Sequence, residues 1–149
     1  AKKLDRISRG LRDCVLLGAI YSVIAFVVIY FFSDVIALLF VDASETEILH
    51  NTRTFLLENV SFYFPLALVN IVRFMIQGLG YSRLAILAGV CEMIARSAVA
   101  FWLVPVLGYD GACLANPAAW IAADLFLIPA YLHVMKHLKY VVFSSKDVA

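Results

Sequence analysis

Between Asp13 and Asp34 the chain runs for 20 residues, Cys14 to Ser33, without a charged side chain. About 20 apolar residues in a helix cross a hydrocarbon core of roughly 30 Å. Inside that core only helices and closed barrels satisfy their own backbone groups. The segment therefore predicts a transmembrane helix over 14–33. Composition extends the argument to the whole chain. Of 149 residues, 64% belong to the set AVILMFWYC and 15% are charged, against about 45–50% apolar (glycine included) and about 25% charged in ordinary globular domains. So few charges cannot cover the surface of a small water-soluble domain, and the lipid bilayer is the predicted surrounding.

The rest of the chain divides in the same way. Residues 1–13 form a basic interfacial segment with Lys2, Lys3, Arg6, Arg9 and Arg12. Leu4, Ile7 and Leu11 recur there at i, i+3 and i+7, which predicts a helical turn or two lying on the membrane surface. The apolar run Asp34 to Val41 is too short to span and reads as a half-buried turn at the far interface. Ser44 and Glu47 have capping-box spacing, so the next helix is predicted to start near Glu45 and to enter the bilayer near Phe55. Three further spans are predicted over 55–77, 84–107 and 112–134. Two turns separate them, Gly78-Leu79-Gly80-Tyr81-Ser82-Arg83 and Gly108-Tyr109-Asp110-Gly111. The expectation is an all-α polytopic membrane protein with a four-helix region over 14–138 and a basic tail over 139–149.

Charge sets the predicted orientation. The net charge is only +1, but Lys2, Lys3, Arg6, Arg9, Arg12, Arg83, Lys136, Lys139 and Lys146 all fall at the ends or in the Gly78–Arg83 turn. The other two loops hold Arg53 beside Asp42, Glu45, Glu47 and Asp110. By the positive-inside rule both ends and the Gly78–Arg83 turn are cytoplasmic. There is no basic face with interleaved aromatics of the kind that binds nucleic acid. The three cysteines, Cys14, Cys91 and Cys113, lie in apolar segments without CxxC spacing, which suits neither a disulfide framework nor a zinc site. The glycine pair at Gly78 and Gly80 follows no strand, so it does not read as a phosphate loop. Ser and His residues are not arranged for nucleophilic catalysis. No enzyme site, cofactor or metal is expected. His133 and His137 share a helical face at i, i+4, but Lys136 sits beside them, and an interfacial cap on the last turn is the expectation.

Four stretches resemble the multidrug and toxic compound extrusion (MATE) family of transporters. Ala1-Lys2-Lys3-Leu4-Asp5-Arg6-Ile7 is similar to the cytoplasmic loop after the second helix of each six-helix half. Phe74-Met75-Ile76-Gln77-Gly78-Leu79-Gly80-Tyr81-Ser82-Arg83 resembles the family's helix-end motif. Glu92 and Arg96 sit like a Glu and an Arg common in one bacterial branch. Gly111-Ala112-Cys113-Leu114-Ala115-Asn116-Pro117 with Trp120 looks like the start of the final helix. The resemblance implies a twelve-helix, two-lobe bundle of which this chain supplies four helices, the ninth to twelfth. It implies a multi-pass protein of the cell membrane that exchanges Na⁺ or H⁺ for cationic or amphipathic small molecules, with the missing N-terminal helices as partner. The start at Ala1, without Met and inside a basic stretch, also predicts a piece of a longer polypeptide. Two other readings stay open: a lipid-linked oligosaccharide flippase of the related superfamily, and a non-transporting four-helix scaffold subunit. The chain departs from the family where helix 55–77 carries no acid at its middle, Pro65 to Asn70, and Glu58 lies nearer the outer face.

Six polar residues inside the spans are candidates for cation or proton coupling, or for an intramembrane network: Glu58, Asn70, Arg73, Glu92, Arg96 and Asp124. An ionisable group at the bilayer centre costs about 2.5–3.5 kcal/mol on insertion scales and usually faces the bundle interior with a partner. Glu92 precedes Arg96 by four positions, the favoured order for a same-face pair. Arg96 lies 13 residues before Tyr109 and Asp124 lies 15 after it. At 1.5 Å per residue both are roughly 20 Å from the outer turn. A chain Arg73–Glu92–Arg96–Asp124 is the expectation, and it either pins helices together or supplies a carboxylate that titrates. The aromatics Phe62, Tyr63, Phe64, Phe101, Trp102 and Trp120 read as belt, packing or cavity lining. Pro65, Pro105, Pro117 and Pro129 predict bent helices suited to alternating access.

Overall fold

The first helix runs well past its uncharged stretch. In the computed structural model, which describes residues 4–42 and 44–144, α1 covers Leu4–Leu38. Its 35 residues measure about 52 Å, against a core of roughly 30 Å. The basic lead-in and the run after Asp34 are therefore turns of one continuous helix, not a separate surface helix and a separate interfacial turn. Ile7 and Leu11 pack against the buried core of the protein, which explains why the lead-in stays helical. Ala1, Lys2, Lys3 and Lys146, on which the reading of the two ends partly rests, lie outside the described residues.

The second predicted span is two helices. α2 covers Thr46–Ser61 and α3 covers Tyr63–Gly78, with a bend of 50° between them. Pro65 supplies the reason. It has no N–H to give the Ser61 carbonyl, and its ring crowds that carbonyl. The Phe62 N–H bonds Asn59 O at 3.1 Å, closing α2 with a tighter turn. The capping box at Ser44 does not form. The N-cap is Glu45, with no side-chain cap bond, because a turn closed by the Glu45 N–H on Asp42 O at 3.0 Å sets the helix start one residue later.

The third span also stops early. α4 covers Ser82–Trp102, and a short α5, Val104–Leu107, follows with Pro105 in its first turn. Pro105 cannot bond the Phe101 carbonyl, so the break falls at Leu103. Gly108 then turns the chain with φ +61°, a conformation that costs a side chain energy and glycine little. The predicted turn to Gly111 is shorter than expected, for α6, Tyr109–Cys113, starts at once. Gly111 presses on the α4–α5 break, where an added Cβ would lie 2.9 Å from the Leu103 carbonyl oxygen. α7 runs Ala115–Ser144 with Pro117 in its first turn and Pro129 inside. It ends ten residues beyond the predicted limit of 134, so His133 and His137 lie on its flank and do not cap its last turn.

Among the described residues there are seven helices and no strand. Three helical stretches are long and apolar enough to cross a membrane, and four if the bent α2–α3 pair is one span. The core sits where α3, α4 and α7 meet: Val69, Val72 and Ile76 from α3, Ala88 from α4, and Trp120, Ala123, Leu127, Tyr131 and Met135 from α7. α1 packs only on α2 and α3 among its main contacts. It shows Leu16, Leu17, Tyr21, Phe31 and Phe32 outward, as a helix does when hydrocarbon is its solvent.

Candidate functional site

Three helices bring charge to one place beside the core. Arg73 projects from α3, Glu92 and Arg96 from α4, and Asp124 from α7. The Arg73 Nη2 donates to Glu92 Oε1 in a close ion pair. Its side chains are 22% and 14% exposed. Arg96 Nη2 lies 3.7 Å from Glu92 Oε2, one turn along the same helix. Both oxygens of Glu92 are thus shared out between two guanidinium groups, and the Arg73–Glu92 pair ties α3 to α4.

Asp124 stands apart from these pairs. It is 8% exposed, and its Oδ1 has no hydrogen-bond partner among the described residues. Glu92 is its charged neighbour. The expected Arg96–Asp124 pair does not form. Equal depth does not make two side chains face each other: Arg96 is 47% exposed and meets Glu92 from one turn away, whereas Asp124 is buried. The cluster is therefore Arg73–Glu92–Arg96 with Asp124 beside it.

Asn70 and Glu58 take no part. Asn70 Nδ2 donates to Leu66 O at 2.9 Å, within its own helix. Glu58 lies on α2, near Asp110 and Cys113 of α6. Its Oε2 is buried without a hydrogen-bond partner among the described residues. It belongs to a second polar seam that joins α2 to α6 and α7. In this seam Tyr109 Oη donates to Asn51 O at 3.1 Å, and Asn116 Nδ2 donates to Asn59 Oδ1 at 3.1 Å. Asn59 is 7% exposed and also donates to Phe55 O. The Asn59–Asn116 bond was not anticipated from sequence. Its signal was there, since an amide in an apolar helix needs a partner.

The aromatics separate by burial. Trp120 is in the core, Phe62 and Tyr63 pack against it, and Phe64, Phe101 and Trp102 face outward. A groove of about 440 Å³ between α1, α2 and α3 is lined by Ser22, Phe26, Val60 and Phe64 among others. Of the six aromatics only Phe64 lines it. Cys14, Cys91 and Cys113 are free thiols.

The family model described as MatE matches residues 1–102. That stretch takes in α1 to α4, with Arg73, Glu92 and Arg96. No curated protein and no solved structure matches the chain.

Proposed function

The chain belongs to the MATE family of transporters, and from that premise we propose that it forms part of a secondary active efflux transporter exchanging Na⁺ or H⁺ for cationic or amphipathic compounds. In this reading it sits in the cell membrane with both ends cytoplasmic. Its spans are the ninth to twelfth of twelve helices, and they close a cavity only together with the remaining helices.

The observation that carries the reading is Asp124. It is 8% exposed, lies on a membrane-spanning helix, and has an oxygen without a partner among the described residues. Glu92 is engaged by two arginines, so Asp124 is the open carboxylate of this cluster, while Glu58, whose Oε2 is also buried without a partner among the described residues, lies in the other seam. A charged carboxylate at mid-bilayer costs about 2.5–3.5 kcal/mol, and a proton or bound cation removes that cost. A group of this kind favours one arrangement of helices when loaded and another when empty, which is what coupling requires. The 50° bend at Phe62 and the helix break at Leu103 supply places where the wall can rock.

The test uses everted vesicles carrying the full transporter, with ethidium as the cationic probe. Asp124→Asn should abolish ethidium uptake driven by an imposed Na⁺ or H⁺ gradient, because the amide carries neither a proton load nor a cation. Ethidium binding and the unfolding midpoint should change little. Undiminished gradient-driven uptake in Asp124→Asn would remove Asp124 as the coupling group.

A further inference from the structure

Beyond Asp124, α7 carries no acidic residue through Ser144. On its outer flank His133, Lys136, His137 and Tyr140 follow at i, i+3, i+4 and i+7, all exposed. They line a groove of about 310 Å³. No ion pair reaches His133, Lys136 or His137 among the described residues. Tyr81, from the turn before α4, places its Oη 3.2 Å from His137 Nδ1. With the hydroxyl donating to Nδ1, the neutral ring keeps its proton on Nε2 and remains a donor for a ligand. Lys136 adds three donors and a fixed positive charge. The groove wall is mostly carbon, with these few donors set in it and no acidic residue in its lining.

A second feature meets it. Toward the membrane centre the same flank of α7 continues as Leu125, Ile128 and Leu132, which are 72%, 41% and 61% exposed. The steps from Leu125 to Ile128, Leu132 and Lys136 are three, four and four residues, so all four lie along one face. From Leu125 to Lys136 is about 16 Å of helix, close to half of a hydrocarbon core of roughly 30 Å. An apolar stripe one leaflet long that ends in a cationic groove matches an anionic phospholipid in both shape and charge. We propose that this flank of α7 binds one anionic phospholipid, with its phosphate between His133, Lys136 and His137 and an acyl chain along Leu132, Ile128 and Leu125. A soluble anion would occupy the groove and leave the stripe unused. The proposal is independent of what the protein transports.

Native mass spectrometry of the 149-residue chain in detergent tests it. Phosphatidylglycerol and phosphatidylcholine with the same acyl chains are supplied in equal amounts. A juxtamembrane cation contributes about fivefold in affinity for anionic lipid. Phosphatidylglycerol should therefore be retained over phosphatidylcholine by about fivefold. The triple variant His133→Gln, Lys136→Gln, His137→Gln should bring the ratio near one. Lys139→Gln, an exposed cation that does not line the groove, should leave it unchanged. Leu132→Asn should lower retention of phosphatidylglycerol, and millimolar inorganic phosphate should not displace the lipid. If the triple variant does not fold, Lys136→Gln alone should lower the ratio about fivefold. Equal retention of the two lipids by the native chain would overturn the proposal. So would an equal loss in Lys139→Gln, or full displacement by phosphate with Leu132→Asn silent.

Discussion

Glu92 is the residue on which the buried cluster turns, and its two arginines are not equivalent. The Arg73 pair is close, joins two helices and is mostly buried. Arg96 is 47% exposed and 3.7 Å away on the same helix. Breaking a buried pair by removing one partner costs about 3–5 kcal/mol, whereas a half-exposed i,i+4 pair contributes about 0.3–0.5 kcal/mol. Arg73→Gln should therefore lower the unfolding midpoint of the chain in nanodiscs far more than Arg96→Gln. The swap Arg73→Glu with Glu92→Arg should recover most of the loss. Equal effects of the two single variants would mean that Arg73 does not hold α3 to α4. From sequence, all members of the cluster were visible as charges in apolar helices. The pairs Arg73–Glu92 and Glu92–Arg96 follow the expectation from spacing, whereas Arg96–Asp124 does not form, because depth along a helix does not say which way a side chain faces.

At the scale of elements, the breaks decide how the spans are built. Pro65 and Pro105 each leave a carbonyl without its donor, and the chain yields at Phe62 and Leu103. If Pro65 is the cause of the 50° bend, Pro65→Ala should restore the bond to the Ser61 carbonyl and straighten α2–α3. Positions 50 and 74 lie 12 residues on either side of Phe62, so straightening should lengthen the distance between them by about 3 Å. Spin labels on His50→Cys and Phe74→Cys, read by pulsed dipolar spectroscopy, measure that distance with and without the substitution. An unchanged distance would assign the bend to the polar seam that ties α2 to α6 and α7. Pro117 repeats the pattern at the α6–α7 junction, where it leaves the Cys113 carbonyl without its donor. Pro129 shows why a proline alone is an incomplete signal, since α7 runs through it to Ser144.

For the molecule as a whole, the charge distribution predicts an orientation that labelling can read. Basic residues gather at the chain ends and the α3–α4 turn, and acids gather in the other two loops. Single cysteines at Ser44 or Asp110, in a background without Cys14, Cys91 and Cys113, should react with an impermeant thiol reagent on intact cells. Cysteines at Ser82 or Lys146 should react only after permeabilisation. The reverse pattern would invert the orientation and place the α7 groove in the outer leaflet.

Helix content, membrane residence and the family were legible in the residues themselves, because each rests on a local property. An uncharged run such as Cys14 to Ser33 has to be a helix in lipid whatever surrounds it. The motif around Gly78, Gly80 and Arg83 carries its meaning in order and spacing. The lengths of the elements were less legible. α1 continues beyond its uncharged core because Ile7 and Leu11 find the α3–α7 core to pack on, and that surface exists only once the chain is folded. The site divides in the same way. The Arg73–Glu92 and Glu92–Arg96 pairs were legible from spacing, but Asp124 is left open and Asn59 meets Asn116 because which faces of the packed helices meet is encoded in no single segment.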